Sequence, residues 1–138
     1  MREVNLDKIA FKILQTNNSY KCIAIYNDIE VCKCQINIEN FTWTISSWYT
    51  NKDYLKQGIG TKTLKYLVNF LFKEFNKPNA IEYIWNGTNL YVFEWIENKF
   101  DATSKCPIAV QKTQCEDDWD SHIYSLNVDK VIEYFALM

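Results

Sequence analysis

The period of the hydrophobic pattern changes once along this chain, between residues 50 and 61, and that change limits the folds open to it. Before it, apolar residues alternate. "KIAFKILQ" (8–15) and "YKCIAIY" (20–26) read as strands around the turn residues "TNNS", and Asn27-Asp28 forms a second turn. In "IEVCKCQINI" (29–38), Cys32, Cys34, Ile36 and Ile38 face one way and Lys33, Gln35 and Asn37 the other. After a turn near Glu39-Asn40, "FTWTISSWYT" (41–50) is rich in aromatic and β-branched residues and reads as a fourth strand, with Thr42, Thr44 and Ser46 on one face. Beyond the change, Leu64, Leu67, Val68, Leu71 and Phe75 recur at helical spacing over 61–75, and Pro78 stops the helix.

"AIEYIW" (80–85) then reads as a strand and "NLYVFEWIENKF" (89–100) as a helix. Two strands at 106–112 and 121–127 follow, with a short helix in "DKVIEYFAL". A helical crossover lets strands 41–50 and 80–85 pair in parallel, while the rest pair antiparallel. The expectation is an α+β domain spanning 1–138, with a mixed, mostly antiparallel central sheet, a β-α-β-α motif and flanking helices.

At 48% apolar and 16% aromatic, the 138 residues suffice for one packed core. Fifteen Lys and Arg against 17 Asp and Glu give a formal charge of −2, which argues against nucleic acid as a partner. The run "YLVNFLF", broken by Asn69, is too short to cross a membrane. The charged start "MREVNLDK" lacks the apolar stretch of an export signal, so a cytoplasmic protein is expected. Five cysteines without a second close pair or a histidine at ligand spacing read as reduced core thiols, with no metal site.

Only three glycines occur in the chain, and two of them, Gly58 and Gly60, stand where the period changes. A strand, closely spaced glycines and a helix start make an anion-binding construction. The first helical amides have no internal partner, and glycine lets the backbone come close. A triphosphate-binding loop needs Gly-Lys-Ser/Thr, but Thr61 intervenes before Lys62 and the earlier glycine position is Leu55. A dinucleotide fingerprint needs a third glycine where Thr63 stands.

The stretch "YTNKDYLKQGIGTKTL" resembles motif A of the GNAT superfamily, the acyl-CoA-dependent N-acyltransferases; Tyr54, Gly58, Ile59, Gly60 and Leu64 fall on matching positions. The strand and helix order over residues 20–127 is also similar to that family's. The resemblance implies acetyl-CoA as cosubstrate. Its pyrophosphate would lie on the backbone of Lys56, Gln57, Gly58, Ile59, Gly60 and Thr61, and its pantetheine arm along Trp48, Tyr49 and Thr50. Asn89 would face that arm. The implied reaction is direct attack of a primary amine, of a small molecule or a peptide, on the thioester.

Leu55 stands where the family has Arg or Gln, Lys99 where it has Gly, and Trp95 where a tyrosine often protonates the leaving thiolate. Tyr91, one turn before Trp95, is the candidate acid. His122, the only histidine, is read as structural or surface-placed and not as catalytic. The acidic run "CEDDWD" (115–120), read first as a solvated loop, would favour a cationic amine if it borders the acceptor site as in the family. Only "TNNS" stands where the family usually has two helices walling that site, so an apolar sheet face would be left open and a homodimer is expected to cover it. Two functions are open: an N-acetyltransferase, or a non-catalytic CoA-binding or interaction module on the same fold.

Overall fold

The computed structural model describes residues 3–55, 57–85, 90–104 and 122–135. A 3-10 turn at Leu6–Lys8 leads into the hairpin strands β1 (Ala10–Thr16), β2 (Ser19–Tyr26), β3 (Ile29–Glu39) and β4 (Thr42–Thr50). A second 3-10 turn, Lys52–Tyr54, precedes α1 (Ile59–Phe75), and β5 (Ala80–Trp85) and α2 (Leu90–Phe100) follow. The pair β6 (Thr103–Ser104) and β7 (His122–Leu126) and the helix α3 (Val128–Phe135) complete the described chain. The sheet order is β1-β2-β3-β4-β5-β7-β6, antiparallel throughout except for the parallel pair β4–β5. This is the expected mixed sheet. The strand expected at 106–112 lies outside the described residues.

Two hairpins close through left-handed residue pairs, Asn27-Asp28 (φ 50° and 64°) and Asn40-Phe41 (φ 52° and 61°). Positive φ at both central residues gives the turn a twist that matches the strands it joins. The third turn therefore lies one residue later than the sequence suggests, and Phe41 leaves the strand. The first helix begins two residues earlier than expected, which puts Gly60 inside it. It ends where Asn76 takes φ 61° and its N–H still reaches the Phe72 carbonyl at 2.9 Å.

The strands carry two bulges. In the β2–β3 register Ala24 opposes Cys32 and Ile25 opposes Glu30, so Val31 is the extra residue. In β3–β4, Ile36 opposes Ile45 and Gln35 opposes Ser47, so Ser46 is extra. A single inserted residue reverses the side-chain alternation beyond it. Trp43 and Ile45 point to the helices before the bulge, and Trp48 and Thr50 do so after it. The expected run of Thr42, Thr44 and Ser46 on one face is thus interrupted at Ser46, whose hydroxyl donates to the Gln35 carbonyl at 3.4 Å.

One apolar cluster joins Leu64, Leu67 and Leu71 of α1, Ile96 and Phe100 of α2 and Phe135 of α3 to the strand side chains Cys22, Cys34, Ile36, Trp43, Ile45 and Ile81. A second, smaller one gathers Ile9, Ala24, Val31, Cys32, Tyr54 and Ile59 under the start of α1. The opposite sheet face mixes exposed apolar side chains, Leu14, Tyr49 and Ile123, with lysines. Lys12, Ile23, Lys33 and Tyr49 oppose one another across β1 to β4, and Ile23 is buried while both lysines are exposed. An antiparallel sheet can present such a face to water, with lysine stems covering the apolar residue between them. No described helix is long and apolar enough to cross a membrane.

Candidate active site

β4 and β5 part company at the bulge. Their parallel ladder runs from Thr42↔Ala80 to Ile45↔Tyr83 and stops, although β4 continues to Thr50 and β5 to Trp85. Residues 46–50 therefore keep β3 as a neighbour on one side, while no β5 ladder partner is described on the other. A strand edge open in this way can accept an extended ligand as an added strand.

The start of α1 lies beside this opening. Gly58 is its N-cap in the left-handed conformation, φ 80° and ψ 7°, and no side chain caps the helix. The first intrahelical bond runs from the Lys62 N–H to the Gly58 carbonyl at 3.0 Å. The amides of Ile59, Gly60 and Thr61 precede it and have no acceptor within the helix. Together with the helix dipole they form a positive end suited to an anion. Thr63, fully buried one turn on, donates to the Ile59 carbonyl at 2.7 Å and ties down this first turn.

The two glycines serve different ends. Gly58 supplies a backbone conformation that side chains disfavour. Gly60 supplies proximity: a Cβ there would stand 3.1 Å from Thr50 Oγ1 and 3.3 Å from Trp48 Nε1. The Trp48 indole N–H donates to the Gly60 carbonyl at 3.0 Å. So Gly60 is bare toward β4, whereas the sequence reading had it bare toward an anion. Thr50 turns its hydroxyl to Cys32 Sγ at 3.5 Å, and burial raises the Cys32 thiol above its ordinary pKa. Cys34, opposite Cys22, is raised further by its hydrogen bond with Cys22 and by burial. Cys22, Cys32 and Cys34 are free thiols, and raised pKa values leave Cys32 and Cys34 unreactive.

Of the residues singled out from sequence, Trp48, Tyr49, Thr50, Gln57, Gly58, Ile59, Gly60 and Thr61 come together at this end of the sheet. Trp48 and Thr50 face α1, while Tyr49 is 58% exposed on the other face. Lys56, Asn89 and the acidic run 115–120 lie outside the described residues. Tyr91 falls in the first turn of α2 and His122 opens β7, but their side chains also lie outside the described part. Trp95 packs 6.2 Å from Trp48, 5.5 Å from Phe100 and 5.8 Å from Tyr134, centroid to centroid. Its indole lines the side of α2 nearest the parted strands.

Residues that sequence reasoning missed also gather here. Tyr83 is the last β5 residue paired with β4, and burial pushes its hydroxyl up to about 12. Tyr124 opposes it on β7 and is raised by burial and then by Glu97. The Val4 N–H donates to Gln57 Oε1 at 2.8 Å, and Lys62 Nζ donates to the Leu6 carbonyl at 3.0 Å. Contacts spanning 53 and 56 residues leave no local signature from which they could have been read.

No protein-family model and no curated protein matches the sequence. Solved structures do match. A GNAT family acetyltransferase from Elizabethkingia anophelis with acetyl-CoA bound superposes with a TM-score of 0.64 at 12% identity, over 88% of this chain and 99% of that one. The ribosomal-protein-S18-alanine N-acetyltransferase of Escherichia coli gives 0.59 at 15% identity, over 83% and 72%. The PaiA N-acetyltransferase from Thermoplasma acidophilum in complex with coenzyme A gives 0.59 at 10% identity; the match covers 80% of this chain but only 61% of that protein.

Proposed function

We propose, for a chain that carries the fold of the GNAT acyltransferases, that it is an acetyl-CoA-dependent N-acetyltransferase acting on a primary amine in the cytoplasm. The observation that carries this reading is the uncapped, glycine-opened start of α1 beside the parted strands β4 and β5. The residues present fit the cosubstrate. The amides of Ile59 to Thr61 offer donors to a pyrophosphate, and at Gly58 an added Cβ would meet only Leu6 Cδ1 among the described residues, in ordinary contact at 3.9 Å. The edge of Trp48, Tyr49 and Thr50 that has no ladder partner among the described residues would pair with the amide groups of the pantetheine arm.

Acetyl-CoA brings an activated acyl carbonyl that a neutral amine can attack directly. The chain's part is to hold that carbonyl at the parting of the strands, where a β4 amide can donate to the oxygen as charge builds on it. The Tyr83 hydroxyl is protonated at neutral pH as any ordinary tyrosine is, and burial only extends that range upward, to about 12. Tyr91 and Asn89 keep their proposed roles as proton donor and arm contact. The acidic run 115–120 would draw a cationic amine, small or peptidic, toward the site.

Leu55 leaves one cation missing from the phosphate side. Leu55→Arg should tighten CoA by up to about tenfold at low salt and less at moderate salt, since an exposed charge contact contributes about 1.4 kcal/mol at most. Calorimetric titration with CoA, then thiol release from acetyl-CoA with a panel of amines, tests the proposal. A folded protein that binds no CoA overturns it. Trp95 at the position of the family's proton donor favours a second reading, a CoA-binding module without transfer. CoA binding with no amine-dependent thiol release is the outcome that selects it.

A further inference from the structure

The glycine turn is held from outside by the beginning of the chain. Val4 donates to the side chain of Gln57, directly before Gly58, at 2.8 Å. Leu6 accepts from Lys62, in the first turn after it, at 3.0 Å. Between these ties, Leu6 Cδ1 lies over Gly58 itself. The segment has a shape of its own, because the Asn5 side chain accepts from the Asp7 N–H at 3.1 Å and caps the turn Leu6–Lys8. Val4 and Leu6 also pack on the small cluster that contains Tyr54 and Ile59.

We propose that residues 4–8 are a strap that positions the CoA-binding turn, with Gln57 as the positioning residue; this rests on the CoA reading above. The physical need is plain at Gly58. A glycine N-cap with no side-chain cap has nothing of its own to fix its conformation, and glycine moves freely among backbone states. Ties on both sides of it order the turn before the ligand arrives, so less freedom is lost on binding. Gln57, expected from sequence to serve through its backbone alone, thus has a second task through its side chain.

Two neutral substitutions cut the same bond from opposite ends: Gln57→Met removes the acceptor, and Val4→Pro removes the donor. Each should weaken CoA about three- to tenfold in the folded protein, the range for one uncharged hydrogen bond. The double variant should be no weaker than the singles, because the bond can be lost only once. Without ligand, amide hydrogen exchange over residues 58–62 should quicken in both variants. If both singles bind CoA within twofold of wild type, or their losses simply add, the strap does not position the turn. A purely structural role would lower the melting temperature and leave the affinity of the folded protein unchanged, which also overturns the proposal. Should wild type bind no CoA, the functional reading falls, and unchanged exchange over 58–62 would sink the strap separately.

Discussion

A methyl group added at Gly60 would stand 3.1 Å from Thr50 Oγ1 and 3.3 Å from Trp48 Nε1, tighter than ordinary contact. Gly60→Val adds two further carbons in that space and should lose about 1–3 kcal/mol of stability through overpacking. Gly58→Ala meets no clash but must hold φ 80°, which costs an L-residue about 1 kcal/mol. Urea unfolding of both variants should rank them in that order; equal losses would mean that Trp48 and Thr50 do not press on Gly60. Tyr83 makes a different prediction. Its folded pKa of about 12 exceeds an unfolded value near 10, so above pH 10 the unfolded chain gives up a proton that the folded one keeps. The contribution is therefore complete below pH 10 and is lost between pH 10 and 12, a fall of up to about 2.7 kcal/mol. Tyr83→Phe should lack that part of the alkaline loss, and identical alkaline profiles would place the hydroxyl in water.

The hairpin between β3 and β4 turns on Asn40 and Phe41, both left-handed, with the Phe41 ring 72% exposed. A bulky side chain gains little from burial there and bears the cost of positive φ. Its carbonyl still accepts from the Asn79 N–H at 2.9 Å, a bond that any residue could supply. Phe41→Gly creates the favoured Asn-Gly turn and should stabilise the chain by about 0.5–1 kcal/mol, after glycine's larger unfolded entropy is set against the relieved strain. An unchanged or lower denaturation midpoint would show that the ring packs on something. The same turn shows what a sequence can tell. Alternation over 32–38 and helical spacing over 61–75 were legible because each residue's face is set by its neighbours a fixed number of places away. The extra residue at Val31 interrupts the start of β3. The bulge at Ser46 was not, because an inserted residue shows only against its partner strand. Gly58 and Gly60 marked the candidate site, but the contact that explains Gly60 reaches back to Trp48 and Thr50 across the turn. The N-terminal ties reach back further still. What lies between residues close in space and distant in sequence is legible only once the strands are paired.

At the scale of the molecule, the described helices share one core on one side of the sheet, and the elements proposed to bind CoA lie at the edge of that core. The smaller cluster of Ile9, Ala24, Val31, Cys32, Tyr54 and Ile59 sits under the glycine turn and joins it to β2 and β3. A ligand held by α1 and β4 therefore bridges elements that must separate on unfolding, and its binding energy adds to the stability of the whole fold. With free CoA at a hundred times its dissociation constant, the gain is about 2.7 kcal/mol. For a chain of this length that should raise the melting temperature by about 10 °C. Adenosine, which lacks the pyrophosphate that the amides of Ile59 to Thr61 would hold, should leave it nearly unchanged. Thermal melts with each ligand over a concentration series separate the cases. A rise with CoA alone, growing with the logarithm of its concentration, is the expected result. An equal rise with adenosine would move the recognition away from the start of α1, and no rise with either would remove CoA as the ligand of this fold.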